Sequence, residues 1–362
     1  MGYFGFWSPI VVGVPFVAVF IGIFIRGVHY LDLNKRVYNQ VPGDCSTVTS
    51  FENGFFDAEL TADKLIVLST VSTSFFLLRA PFQGHRVSNA SFAPSSLFLY
   101  NASSKHAWKL HVGRKRLKSA DSWNPEGISL LKTTLLVVNR VSNATSVEIF
   151  ALDSEKKTVK HKKSVKDPLL YNVGDIAATG PKTFYFTSSF YFQDATLKQF
   201  EWFLNTKHGF IGYFDGNSAR KAVEGVSSPT GILIDRSRNS FTDQAILVYS
   251  VEANAKLNFK KRIDLVVSPV LFSFDSNFDL TLAAQPLKFK YYYYEKSPFA
   301  FYSPSTVLTI RYKKGKTRIS QFYANDGATI SGATIALKTN DEMLLANSNS
   351  MVLSCKWTPT PK

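Results

Sequence analysis

Ser122-Trp123-Asn124-Pro125-Glu126-Gly127-Ile128-Ser129 stands ahead of two apolar runs, Leu135-Leu136-Val137-Val138-Asn139-Arg140 and Ser146-Val147-Glu148-Ile149-Phe150. Both runs read as strands, over 133–139 and 146–152, because β-branched and aromatic side chains fit a pleated surface. Outward from this block the pattern continues in short β-like runs at 183–187, 245–252, 272–282 and 306–311. Residues 305–312 and 317–323 read as a hairpin across Lys313-Lys314-Gly315-Lys316, with Gly315 taking the left-handed position. Three further runs, 333–338, 342–346 and 350–355, close the chain. Helical periodicity is confined to the N-terminus, apart from a turn or two around 196–206. Many short strands without intervening helices predict an all-β sandwich, barrel or propeller. No internal repeat is legible, so periodicity alone does not choose among them.

At 362 residues, 45% of them hydrophobic, the chain can bury a large core. Its formal charge of +15 invites a nucleic-acid partner. That class is set aside, because there is no zinc-ligand spacing, no RNP-like segment and no periodic basic helix. The bases cluster at Arg114-Lys115-Arg116 with Lys118, from Lys156 to Lys166, and at Lys313-Lys314 with Lys316. Such clusters read as solvated loops, or as a surface for an acidic partner or anionic headgroups.

From Gly2 to Ile25 no side chain is charged. About 20 helical residues cross the ~30 Å hydrocarbon core, so a membrane span is expected. Pro9 and Pro15 are tolerated in such a helix, and Trp7 and Tyr30 fall near its two interfaces. A cleaved secretory signal is the competing reading, but there is no basic n-region and no small-residue cleavage site. The expected organisation is a short cytoplasmic tail (1–6), a signal anchor (7–26), a linker (27–40) and a lumenal or extracellular domain (41–362). Arg26, Lys35 and Arg36 argue for the opposite orientation. Against them stand three glycosylation acceptors, Asn89, Asn101 and Asn143, and two cysteines, Cys45 and Cys355, placed at the ends of the domain. Long translocated domains also tend to ignore flanking charge.

The Trp123–Phe150 block resembles the paraoxonase/arylesterase family, and the likeness extends from about Cys45 to Cys355. Asp175-Ile176-Ala177-Ala178-Thr179-Gly180-Pro181-Lys182-Thr183-Phe184-Tyr185 follows the family pattern, as does Tyr323-Ala324-Asn325-Asp326-Gly327 with Ser331-Gly332-Ala333-Thr334. The resemblance implies a six-bladed β-propeller whose first and last strands share a blade, with the family's single disulfide falling on Cys45 and Cys355. Closing so long a loop contributes ~5 kcal/mol in the chain-entropy model.

Enzymes of the family hold two calcium ions in the central tunnel. The catalytic ion polarises an ester or lactone carbonyl while a histidine pair assists proton transfer. Its ligands are a Glu, three Asn and an Asp, and hard Ca²⁺ takes about six to eight oxygens. By the resemblance the Glu falls on Phe56, one Asn on Gly174 and another on Thr230; the remaining pair falls in 267–270, which has no carboxylate or amide. The histidine pair falls on Glu126 and Arg140, which are therefore expected to be neighbours and to form an ion pair. None of the six histidines, His29, His85, His106, His111, His161 and His208, lies in a family motif. The resemblance thus implies no catalytic metal. The structural calcium is left open: Asp57, Asp175 and the Ile128 carbonyl match its protein ligands, and the alternative is that both carboxylates bond backbone amides or Arg140.

The expected function is that of a catalytically inactive, membrane-anchored relative. Nematode members with this layout are associated with folding, assembly and surface delivery of degenerin/epithelial-type sodium channels. The resemblance places such a protein in the endoplasmic reticulum membrane with a lumenal C-terminal domain, and leaves the plasma membrane open as a second location. The aromatic run Tyr291-Tyr292-Tyr293-Tyr294 is either part of a partner surface or an ordinary strand and hairpin. Two alternatives are a calcium-dependent arylesterase or lactonase with rearranged ligands, and a lipid or small-ligand binder using the emptied tunnel.

Overall fold

In the computed structural model the described residues are 8–48, 51, 54–70, 95–113, 123–141, 144–234, 239–242, 244–275, 279–298, 300–313, 316–339, 342–348 and 351–357. The proposed tail 1–6, Asn89, Asn143 and the Gly315 turn lie outside them. Within them the strands form six antiparallel meanders. In order from the inner strand outward, sheet I holds Phe55–Leu60, Ile66–Thr70, Ser96–Asn101 and His106–Lys109. Sheet II holds Pro125–Leu131, Thr134–Val141, Ala144–Asp153 and Thr158–Val165. Sheet III holds Val173–Ala178, Phe184–Ser188, Gly209–Phe214 and Ala219–Val226. Sheet IV holds Ile232–Leu233, Asn239–Thr242, Ala245–Val251 and Leu257–Asp264. Sheet V holds Ser268–Phe274, Leu280–Gln285, Ser305–Lys313 and Lys316–Asn325. Sheet VI holds Ala333–Lys338, Glu342–Asn347 and Val352–Lys356, and its outer strand is the earlier segment Cys45–Thr47.

The inner strands touch in sequence, I to II, through to VI and back to I, which is a propeller arrangement. The expectation of a six-bladed propeller holds for the propeller arrangement but not for the blade count, where five regular blades are found. Five sheets are regular four-stranded blades, whereas sheet II carries a fifth strand, His111–Val112, paired parallel to Thr158–Val165. The connection from sheet I enters sheet II along its outer edge, so this short segment adds to that edge before the chain reaches the tunnel.

The deciding stretch shows why the sheets pack face to face. Leu135 and Val137 belong to the apolar cluster between sheets I and II, and Leu136 and Val138 to the cluster between II and III. A strand buried on both faces reads as a continuous apolar run because successive side chains point to opposite faces. A separate cluster fills each of the other junctions too. Closure comes from sheet VI, where Cys45 pairs with Cys355 in register and the two are disulfide-bonded across 310 residues.

Among the described residues three α-helices accompany the sheets. The first, α1 (Ser8–Tyr30), is the one described helix long and apolar enough to cross a membrane, with a mean hydropathy of 1.6 over Gly13–Tyr30. It continues past the expected boundary at residue 26 and docks on the propeller. Tyr30 donates its hydroxyl to the Trp202 carbonyl at 2.7 Å. Just beyond, fully buried Asp32 pairs with Lys35 at 2.5 Å and accepts from the Lys288 amide at 3.4 Å and Gln244 Nε2 at 3.3 Å. The second, α2 (Ala195–Phe203), is capped by Asp194, whose carboxylate accepts from the amides of Thr196 and Leu197. The third, α3 (Lys288–Lys296), contains the tyrosine run, which corrects the strand-and-hairpin reading. Tyr292 stacks on Trp202 with ring centres 5.5 Å apart, and Tyr294 is buried. Contacts with α1 and α2, rather than intrinsic preference, hold this segment helical.

Candidate functional site

Five inner strands carry a register shift at the tunnel: between Phe55 and Asp57, Pro125 and Ile128, Val173 and Ile176, Pro269 and Phe272, and Ala333 and Ile335. A bulge turns a side chain or carbonyl out of the ladder, and bulges gather at functional sites. Every expected site position in sheets I, II, III and V other than Arg140 falls in or beside one of these shifts. The bulges are invisible to alternation counting, and Gly127 and Gly174 were their one sequence signal.

Asp57 and Asp175 are both buried and both converge on the Gly127–Ile128 segment. Asp57 accepts from its neighbour Ala58 N at 2.7 Å and, across the sheet junction, from Ile128 N at 2.7 Å. Asp175 repeats the pattern at the junction of sheets III and IV, accepting from Ile176 N at 2.8 Å and Ile232 N at 2.9 Å. A Cβ built on Gly127 would stand 3.0 Å from Asp175 Oδ1, so glycine lets the carboxylate lie against this bulge. Of the two alternatives read from sequence, it is the backbone amides that both carboxylates are seen to engage.

Burial pushes the Asp57 carboxyl up to about 7. Burial and then the Asp57 charge raise Asp175 and Glu59 well above the usual carboxylate range. Glu59 was not singled out from sequence, since it reads there as an ordinary strand carboxylate. Two buried carboxylates, each oxygen with a lone pair left after its single amide bond, fit a hard cation. Asp57, Asp175 and the Ile128 carbonyl would hold it, with water supplying the remaining ligands. Among the described residues no cluster of three His, Cys, Asp or Glu side chains forms a fuller cage.

The positions expected to hold a catalytic ion do not fit one. Phe56 and Val270 both pack against the apolar cluster that joins sheets VI and I. A Cβ on Gly174 would meet the Thr230 carbonyl at 2.6 Å and Thr187 Oγ1 at 3.0 Å, so no longer side chain is accommodated there without a shift. The Thr230 hydroxyl donates to the Pro269 carbonyl at 3.3 Å. Gly174→Asn, which restores an amide ligand, is expected to destabilise the protein by ~1–3 kcal/mol through overpacking. Urea unfolding checks this, and an unchanged midpoint would show that the pocket has room.

Glu126 and Arg140 are brought together. Arg140 Nε lies 3.0 Å from Glu126 Oε2, and the guanidinium also donates to the Val173 carbonyl of sheet III. Asn124 Nδ2 approaches Glu126 Oε1 at 3.3 Å, while the Asn124 amide donates to Asn139 Oδ1 at 2.8 Å. The pair therefore sits in a buried polar network that ties sheet II to sheet III. Similar stitches occur around the ring: Ser69 Oγ to the Glu126 carbonyl, Thr187 Oγ1 to the Thr230 carbonyl, Ser273 Oγ to the Ala336 carbonyl and Thr334 Oγ1 to the Phe55 carbonyl. Side chains at the tunnel are spent on backbone groups of the next sheet.

The carboxyl shifts give a pH dependence. A group whose folded pKa lies above its unfolded value binds protons better when folded, so stability is lost as pH rises through that interval. For Asp57 the interval runs from 3.8 to about 7. In chelator, the melting temperature is expected to fall as pH rises across this window, and Asp57→Asn to flatten the fall. Added calcium should return stability as pH rises, because a bound cation favours the ionised carboxylates. A fall of the same size in Asp57→Asn would contradict the assignment.

One buried cluster lies away from the tunnel. Glu148 accepts from Ser146 at 2.6 Å and from Ser164, and meets His161 Nε2 at 2.7 Å, all on the outer half of sheet II. Sequence reading missed it because its members are scattered over two strands. Of the expected glycosylation sites, Asn101 ends a strand of sheet I, and its Oδ1 accepts from the Ser104 amide at 3.1 Å.

A closed propeller with carboxylates in its tunnel defines a class, and comparison with known proteins gives the family. Residues 85–357 match the arylesterase family model, and the chain belongs to that family. It is 27% identical over 352 residues to mechanosensory abnormality protein 6 of Caenorhabditis elegans, covering 91% of this chain and 90% of that one. It is also 27% identical over 327 residues to human serum paraoxonase/arylesterase 1, covering 86% and 88%. Among solved structures, a luciferin-regenerating enzyme superposes with a TM-score of 0.52 at 8% identity, covering 88% of this chain and 99% of that one, a likeness of fold alone.

Proposed function

We propose that this chain is a non-hydrolytic member of the arylesterase family that acts as a chaperone-like or accessory factor for a membrane protein, a degenerin/epithelial-type channel subunit. The observation that carries this reading is at Gly174, where the backbone of sheet IV fills the place of a metal ligand. Phe56, Thr230, Glu126 and Arg140 support it, since none leaves an oxygen cage or a proton-transfer pair. We read the five-stranded sheet II as the sixth blade of the ring. On the same reading α1 is an uncleaved anchor, the domain faces the lumen of the endoplasmic reticulum, and Asn101 is accessible to glycosylation.

The docking of α1 supports an assembly role. Tyr30, Trp202 and Tyr292 form a continuous contact from the anchor into α2 and α3. The propeller is thus held at a fixed attitude to its span, as a partner with a nearby ectodomain requires. Beside this contact Phe200, Phe203 and Leu204 of the α2 region are 58–68% exposed and Tyr293 of α3 is 50% exposed. Exposed apolar groups gathered in one place mark interaction surfaces. The test is recovery of the full-length protein from membranes with a channel subunit, followed by surface channel counts. Phe200→Ser with Phe203→Ser is expected to abolish co-purification and reduce surface channel without changing the melting temperature. Unchanged surface delivery in cells lacking the protein would contradict the proposal.

A further inference from the structure

The outer strands of sheets II to V hold ten Lys and Arg residues: Lys160, Lys162, Lys163, Arg220, Lys221, Lys260, Lys261, Arg262, Lys316 and Arg318, all exposed. The same four strands hold two acidic residues, Glu224 and Asp264, each already paired within its strand, with Lys221 at 3.0 Å and Arg262 at 2.6 Å. The remaining outer strands differ: His106–Lys109 of sheet I has one lysine and Cys45–Thr47 of sheet VI has no charge. Ten cations less two carboxylates leave these four strands with eight of the chain's formal +15.

Basic side chains also show that the four edges are contiguous. Lys163 Nζ of sheet II donates to the Gly216 carbonyl in a turn of sheet III at 3.4 Å. The Arg220 guanidinium of sheet III donates to the Asn254 carbonyl in sheet IV. Lys261 Nζ of sheet IV donates to Thr317 Oγ1 of sheet V at 2.8 Å. Each junction is bridged by a cation from one outer strand, so the charge forms an arc rather than separate spots.

Lysine on an edge strand guards against edge-to-edge pairing. That need does not account for sheet II, where His111–Val112 already pairs with the start of Thr158–Val165 and three exposed lysines follow. Like charges packed this closely repel, so the arc holds unfavourable energy that a polyanion would relieve. The edges lie open at these positions, each of the ten side chains being exposed. They present long, exposed cations in sequence, with Phe259 and Ile319 half-exposed between them. That form suits a flexible linear polymer bearing a charge on nearly every unit.

We propose that the rim of sheets II to V binds a linear sulfated polysaccharide. Its natural ligand rests on the lumenal or extracellular placement proposed above, but the binding itself is measured in vitro and stands or falls separately. Full-length protein in detergent micelles is titrated with size-fractionated heparin oligosaccharides, with poly-glutamate and with anionic vesicles. Binding is expected to strengthen with oligosaccharide length and to weaken steeply with salt, because exposed charges are screened within about 8 Å at physiological ionic strength. Lys260→Ser with Lys261→Ser and Arg262→Ser is expected to lower affinity for long chains at least tenfold. Lys160→Ser with Lys162→Ser and Lys163→Ser, at the far end of the arc, should weaken long chains and spare short ones. A control of equal charge, Lys64→Ser with Lys132→Ser and Lys182→Ser, is expected to change affinity less than twofold. Equal loss in the control, no length dependence, or poly-glutamate or vesicles binding as tightly as heparin would each overturn the proposal.

Discussion

Arg140→Met is expected to lower stability by ~3–5 kcal/mol, the loss usual when one member of a buried ion pair is removed. Glu126 is 2% exposed, and Arg140 Nε at 3.0 Å is its charged partner. With the guanidinium gone, the carboxylate loses this charged partner, and the Val173 carbonyl loses a donor. The double variant Glu126→Gln with Arg140→Met strands no charge and should recover most of the loss. The remainder reflects Val173, worth ~1 kcal/mol for one hydrogen bond. Chemical denaturation of wild type, both singles and the double closes the cycle. Additive losses would mean the two residues are not coupled.

The second large effect concerns closure. Cys45→Ser with Cys355→Ser is expected to remove ~5 kcal/mol, because a cross-link over so long a loop restricts the unfolded chain strongly. The affected strand, Cys45–Thr47, is only three residues long and makes the seam between the two ends of the propeller. Without the bond that strand should fray first, exposing Leu353 and Val352 in the neighbouring strand. Hydrogen exchange confined to sheet VI at mild temperature, followed by a lower global melting temperature, is the expected pattern. Uniform loss of protection around the ring would contradict a closure role.

Much of the architecture was legible because both faces of each blade are buried. Leu135-Leu136-Val137-Val138 had to be a strand between two cores, and the structure gives it one cluster on each side. The tyrosine run was misread because Tyr favours strands in isolation, while here stacking on Trp202 and burial of Tyr294 decide for a helix. The short parallel strand His111–Val112 carries no local signal and exists only because the edge of sheet II is near.

At the tunnel, which residues meet was inferred from family resemblance, and the structure brings Glu126 to Arg140 and both Asp57 and Asp175 to Gly127–Ile128. What could not be read was the use each group is put to. That Asp57 and Asp175 latch the amides of the next sheet depends on bulges, which alternation does not reveal. Buried Asp32, which fixes the end of α1 to α3, lies in a stretch that reads as linker.

The account turns on whether the tunnel can polarise a carbonyl. The most direct measurement is hydrolysis of phenyl acetate and of a panel of lactones by the purified full-length protein, with calcium and then with chelator. The account predicts rates equal to the protein-free background under both conditions, with calcium changing the melting temperature but not turnover. Hydrolysis above background that chelator abolishes and calcium restores would contradict it.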